Sequence, residues 1–428
     1  MKNRLPSAQA FLQASASYRM PLSAGVAVSI LALFTLHPRP AAAADWPEFK
    51  GRLGRGVAVG ERLRSTWNES EGLAWKADLP GRGASSPIVV GDLVVVTAAS
   101  GPRQDRLHVL ALDRQSGKPR WHRTFWAAGR TLCHSTSSVA AGTPASDGKR
   151  IVALYSSCDL FALDLEGRLL WQRNLAVEHP KSGTDIGMGA SPRIIDGTVV
   201  VQVDCQGDAF ATGIDVATGS ERWLVPREKI ASWSSPIEVS IGGEGPCVLM
   251  QNPNGLELRK PVDGSIVWNW KGECSGIPMT TESGGILLVP GSGLSALRPQ
   301  DAADGAPEQP AWSSTKLSCG IASPMVWGDS IACVNRAGVL GVGSLSDGSL
   351  RGQVRLAGSF WASPIVVGDT IVAANKEGTT FLVSVGADGT PQILGQNQLP
   401  GTFTATPAVA DGSLYLRSEE ALWKVAAP

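Results

Sequence analysis

The chain predicts an all-β fold, an eight-bladed β-propeller with four-stranded antiparallel blades, and three observations predict it. A small or hydroxyl-bearing residue, then proline, a short apolar stretch and a Gly- or Asp-containing turn occurs eight times, at Pro87, Pro144, Pro192, Pro236, Pro278, Pro324, Pro364 and Pro407. The spacings are 57, 48, 44, 42, 46, 40 and 43 residues, a period in the forties that suits blades of about four short strands. Helical periodicity is missing beyond the first 44 residues.

Residues 1–44 read as an export signal. They hold Lys2, Arg4, Arg19 and Arg39 without an acid, then an apolar run from about Leu22 to Leu36 and an end at Ala41 to Ala44. A basic start, an apolar run too short to span with ease and an Ala-x-Ala end place the cut near Ala44/Asp45, and the mature protein in the periplasm or outside the cell. An uncleaved anchor is the alternative. The segment has no cysteine, which argues against a lipid-modified start. Residues 45–70 are expected to pack on the propeller as an N-terminal extension, and residues 71–428 to form the ring. The 384 residues after the signal carry 34 basic and 38 acidic side chains. That balance speaks against nucleic acid or an anionic membrane as a general partner, and the chain is read as a monomer.

The first repeat shows how one blade is written. Ser85 to Val90 is a short apolar strand, Gly91-Asp92 a turn, Leu93 to Thr97 a β-branched second strand and Leu107 to Leu112 a third. Asp113-Arg114-Gln115-Ser116-Gly117 turns the chain, with Asp accepting local backbone hydrogen bonds and Gly supplying a positive φ. Lys118 to Phe125 is the fourth strand. The turn and last strand recur as Asp164–Trp171, Asp215–Trp223 and Asp263–Trp268, and the turn alone as Ser346-Asp347-Gly348 and Ala387-Asp388-Gly389. Trp121, Trp171, Trp223 and Trp268 are therefore expected to cover the joints between blades rather than touch a ligand. Residues 298–315 read as a longer exposed hairpin loop in the fifth repeat.

Closure follows from a count of strands. After Pro407 only three remain, Ala405–Ala410, Ser413–Arg417 and Ala421–Ala426. The missing outer strand lies upstream, at Gly72 to Leu79 with Trp75, so both chain ends are expected to share the eighth blade and hide two sheet edges.

These repeats, and the opening Asp45-Trp46-Pro47-Glu48-Phe49-Lys50-Gly51, resemble the pyrroloquinoline-quinone-like propeller family over nearly all of residues 45–428. The opening is similar to the W-P-x-F-[RK]-G start of exported family members. The resemblance implies two kinds of function. Some members are quinone-dependent alcohol and sugar dehydrogenases; another is the propeller lipoprotein that helps assemble outer-membrane β-barrels, a protein-binding scaffold. The same blades host both, so the site must decide. The quinone enzymes carry adjacent cysteines, a carboxylate base and Glu, Asn and Asp ligands for calcium. This chain has no Cys-Cys step and no visible acid–amide cluster.

Other chemistry is thin. The seven cysteines, at 133, 158, 205, 247, 274, 319 and 333, form no C-x-x-C; by place in the repeat Cys158 could meet Cys205 and Cys274 could meet Cys319, or all could be small buried fillers. His108 and His122 read as ordinary strand-surface residues, while His134 and His179 lie in long loops. Neither H-E-x-x-H nor G-x-S-x-G occurs. Gly81-Arg82-Gly83 precedes no helix, and Glu419-Glu420 reads as a solvated turn.

The residues before the eight prolines are Ser86, Thr143, Ser191, Ser235, Ile277, Ser323, Ser363 and Thr406. Seven hydroxyls either cap local backbone groups or make a polar ring at the channel mouth. Two positions earlier the residues are mostly small, but Trp233 and Trp361 break the pattern, and aromatics at a mouth are common anchors for partners. The loops at about 127–141 and 176–189 are long. The site expected from sequence is this face, with Trp233, Trp361, His134, Arg130 and Asp185 binding a partner. The chain thus reads as a non-enzymatic binding platform for protein or peptide, with no catalytic residue, metal or cofactor predicted. A quinone dehydrogenase using pyrroloquinoline quinone with calcium and a small-ligand or carbohydrate-binding propeller are the alternatives.

Overall fold

The computed structural model of the protein describes residues 45–241, 243, 245–299 and 309–428; the expected signal and its cut site lie outside them. Eight small antiparallel sheets stand in a ring as an eight-bladed propeller. In the first blade the strands are Ile88–Val90, Leu93–Ser100, Arg106–Asp113 and Pro119–Trp126, paired in chain order. The inner three are almost wholly buried and the fourth is exposed at the rim but for the partly buried Trp121 and Phe125, as expected of strands that face neighbours on both sides except at the edge.

Closure occurs as the strand count requires. Leu73–Asp78 pairs antiparallel with Ala421–Val425 and completes the sheet of Ala408–Ala410 and Ser413–Arg417. Part of the 298–315 segment is not loop, because Trp312–Ser314 supplies the fifth blade's outer strand; residues 300–308 lie outside the described residues.

Tryptophan covers several of the joints, Trp121, Trp171 and Trp223 among them as expected, while no such contact is seen for Trp268 among the described residues. Trp75, Trp121, Trp171 and Trp223 donate their indole N–H to Arg114 O, Leu165 O, Val216 O and Pro261 O, each in the turn of the next blade. Each ring also lies on that turn's glycine: a Cβ at Gly117, Gly167, Gly219 or Gly264 would meet the indole at 2.5–2.7 Å. Both the turn's positive φ and this contact demand glycine there. The same arrangement recurs where sequence had not pointed, with Trp312 Nε1 donating to Leu345 O over Gly348.

The opening motif becomes a plug. Trp46 bridges Val89 in the first blade, and Pro47 O accepts from Ser146 N in the second. Glu48 faces Arg193 of the third at 2.9 Å. Lys50, fully buried, donates to Pro324 O at 3.0 Å beside Thr281. Arg55 pairs with Glu282 at 2.7 Å, and Val57–Ala58 adds parallel to Val366–Val367 of the seventh blade. One short segment thus touches inner strands around most of the ring, mostly past the repeat prolines, with Lys50 reaching back to Pro324. It closes one end of the channel. Burial raises the Glu48 carboxyl to about 7, against the opposing pull of Arg193, and lowers the Lys50 amine to about 8.

Candidate binding site at the channel mouth

At the other end the inner strands start, and there the residues before each proline meet. The hydroxyls do not act locally. Ser86 N donates to Thr143 Oγ1, Thr143 N to Ser191 Oγ and Ser191 N to Ser235 Oγ, at 2.9–3.0 Å. Across the ring Met279 N donates to Ser323 Oγ, Ser323 N to Ser363 Oγ and Ser363 N to Thr406 Oγ1, at 2.9–3.1 Å. Each side chain therefore satisfies a buried amide of the preceding blade, a role that neither a local cap nor a water-binding ring describes.

The chain of bonds changes at two joints. Ile277 offers no hydroxyl, and there Gln251 reaches across instead: its amide donates to Ser275 O and Pro278 O at 2.6 and 3.0 Å, and accepts from Thr280 N at 2.8 Å. At the closing joint Ser86 Oγ is buried with no hydrogen-bond partner among the described residues. There buried Arg417 donates to Ser85 O at 2.8 Å. Gly83 passes so close to this guanidinium that no side chain would fit.

Above the hydroxyl ring lies a cavity of about 340 Å³, at the lower end of the range for small-ligand sites. Ala84, Ala141, Gly189, Ile321, Trp233 and Trp361 line it, and Phe49 of the plug also reaches it. The two tryptophans are half-buried. Trp233 is held by its indole N–H to Gly187 O at 2.8 Å, and Lys376 Nζ stands 5.8 Å from the Trp361 ring. His134 lines the edge, with Nδ1 2.8 Å from Thr136 Oγ1 and its backbone N–H on Ile186 O.

Of the five residues expected at the site, Trp233, Trp361 and His134 line this cavity. Arg130 and Asp185 do not: both are exposed and pair with each other, joining the two long loops. Sequence could not show that each is the other's partner. Glu419 is likewise no solvated acid, since Arg82 grips both of its oxygens at 2.8 and 3.1 Å.

The cysteine pairings are corrected. No disulfide joins any of the seven cysteines, and neither Cys158–Cys205 nor Cys274–Cys319 forms a bond. The near approach is Cys319 to Cys333, whose sulfurs stand 3.2 Å apart. Cys158 instead accepts from Ser182 at 3.8 Å, and burial pushes it and Cys274 up to about 12.

A quinone with calcium would need charged and amide ligands in this lining. The cavity wall contains no carboxylate, amide, lysine or arginine side chain, so its side chains offer a hard cation only neutral hydroxyls and an anionic cofactor no positive charge. Among the described residues no three His, Cys, Asp or Glu side chains gather to hold a metal. The donor set does not fit that pair.

The profile of the family described as outer membrane protein assembly factor BamB matches residues 54–240 and 212–427. The chain belongs to the BamB family. Solved structures agree on the fold. The chain is similar to BamB from Moraxella catarrhalis, with 16% identity and a TM-score of 0.62 over 82% of this chain and 96% of that one. It is also similar to the quinohemoprotein alcohol dehydrogenase from Comamonas testosteroni, with 11% identity and a TM-score of 0.66 over 91% and 81%. A europium-containing methanol dehydrogenase matches at 13% identity and a TM-score of 0.52, over 87% and 89%. No curated protein matches by sequence. A BamB-family ring thus shares its architecture with enzymes. No helix among the described residues is long and apolar enough to cross a membrane.

Proposed function

We propose that this BamB-family propeller is an exported, non-enzymatic scaffold that captures a protein or peptide partner over its channel mouth. One observation carries the reading: two half-buried tryptophans stand over a cavity lined by apolar, serine and threonine side chains, in which only His134 is titratable. Aromatic anchors around a desolvated pocket are where binding energy concentrates in protein interfaces. Ile186 and Ile277 keep 47% and 39% of their surface exposed at its edge, so an arriving chain would find apolar surface beyond the cavity. The plug closes the other end, which leaves this face as the open one. The family description names assembly of outer membrane proteins, and the basic, Ala-terminated start of the sequence suits export to the compartment where such partners pass.

The test is site-specific photocrosslinking in the producing cells. A photoreactive residue at Ile186 or Ile277 is expected to give a discrete adduct with another protein. The same probe at Val262, 58% exposed on a turn of the closed face, is expected to give none. An empty mouth, or the same adducts from both faces, would overturn the proposal.

A further inference from the structure

The first blade carries a cluster that the mouth does not use. His108 and Thr124 are directly opposite in the paired strands Arg106–Asp113 and Pro119–Trp126, and His122 opposes Leu110. Because side chains alternate along a strand, His122 and Thr124 share a face, and His108 meets both. His122 Nε2 lies 3.0 Å from His108 Nδ1, Thr124 Oγ1 lies 3.1 Å from the same nitrogen, and Thr124 Oγ1 and His122 Nε2 are 3.4 Å apart. These were read from sequence as unrelated surface histidines. They form a hydrogen-bonded triangle instead, of two imidazole nitrogens and a hydroxyl.

We infer that His108 Nδ1, His122 Nε2 and Thr124 Oγ1 form a binding site for an imidazole-preferring divalent transition ion such as Cu²⁺ or Zn²⁺. Zinc–nitrogen bonds of about 2.0–2.1 Å at tetrahedral angles place their ligands about 3.3 Å apart, so the triangle needs adjustments of only a few tenths of an ångström. The open fourth position faces solvent at the blade rim, where His122 is exposed.

The surroundings favour the required tautomer. His108 Nε2 stands 2.7 Å from Ser100 Oγ; donating its proton there leaves the Nδ1 lone pair aimed at the triangle, as outer partners do for metal-bound histidines. The nearby cation, Arg106, is drawn over the Trp126 ring at 5.5 Å. Two imidazoles and a neutral hydroxyl select by ligand softness, and among first-row ions copper binds such sets most tightly.

The experiment is equilibrium dialysis of the purified protein against Cu²⁺, with electron paramagnetic resonance of the bound ion. One equivalent showing coupling to two imidazole nitrogens is expected. His122→Ala, at an exposed position, should weaken that site by at least about tenfold, and Ser100→Ala less severely, each with an unchanged circular dichroism spectrum. His134→Ala, at the mouth, should leave it unchanged. The assignment is overturned if the protein retains no equimolar copper, if the signal shows sulfur ligation, or if His122→Ala binds as the parent does.

Discussion

Replacing Ser191 by alanine tests the hydroxyl ring directly. Ser191 Oγ accepts the amide of Thr143 at 3.0 Å, and the residue is 5% exposed. The substitution strands a buried N–H without an acceptor, which costs about 1–3 kcal/mol, while removing one hydroxyl changes packing little. The structure supplies its own control. Ser86 sits at the equivalent place in the first blade, yet its Oγ serves no amide among the described residues, so Ser86→Ala should cost nearly nothing, or stabilise slightly by removing an unsatisfied buried oxygen. Both variants lose the same atom from the same kind of position, and only the inter-blade bond differs. The assay is urea unfolding followed by tryptophan fluorescence, comparing midpoints. If the two variants unfold together, the hydroxyls act locally and the reasoning fails.

Three further outcomes are expected. Lys50→Met should stabilise the protein by about 2 kcal/mol at pH 7: lowering the amine from 10.5 to about 8 corresponds to a penalty of about 3 kcal/mol, offset by about 1 for the lost bond to Pro324 O. The unfolded lysine binds the extra proton between those values, so parental stability rises as pH climbs from 8 toward 10.5 and the advantage of methionine fades; a difference that stays flat from pH 7 to pH 10 would contradict this. Oxidised glutathione should remove two of the seven titratable thiols, as Cys319 and Cys333 pass two electrons to the added disulfide and release two protons; mass mapping that finds a bridge at Cys158 or Cys205 instead would show the geometry to be misread. Ending the chain before Ser413 should abolish folding, since Leu73–Asp78 then loses its partner strand Ala421–Val425; a soluble, cooperatively melting product would disprove the closure.

The ring was legible because its determinants are local. Each Asp-to-Gly turn, each β-branched stretch and each proline states its own conformation, and the glycine-to-tryptophan spacing recurs in several blades. Closure was legible by counting strands. The site was only partly so. Trp233 and Trp361 stood out against Ala84 and Gly189, but the pairing of Arg130 with Asp185 joins residues 55 positions apart in loops that carry no repeat signal. The cysteine pairs failed for a related reason: position within a blade fixes height in the sheet but not which sulfurs face each other, so Cys319 found Cys333 of the next strand pair and not Cys274. The plug was visible only as a motif, because each of its residues answers to a different blade. The histidine triangle was hidden by a register that only the strand pairing reveals.

Asp45 Oδ1 accepts the amide of Gly91 at 2.9 Å, in the first hairpin turn on the closed face. Coupling the protein to a sensor surface or bead through this position would therefore present every molecule the same way up, tryptophans outward. Partner capture measured in that orientation should exceed capture by protein attached through Leu132 or Ile186, where the linkage itself would cover the place a partner has to reach.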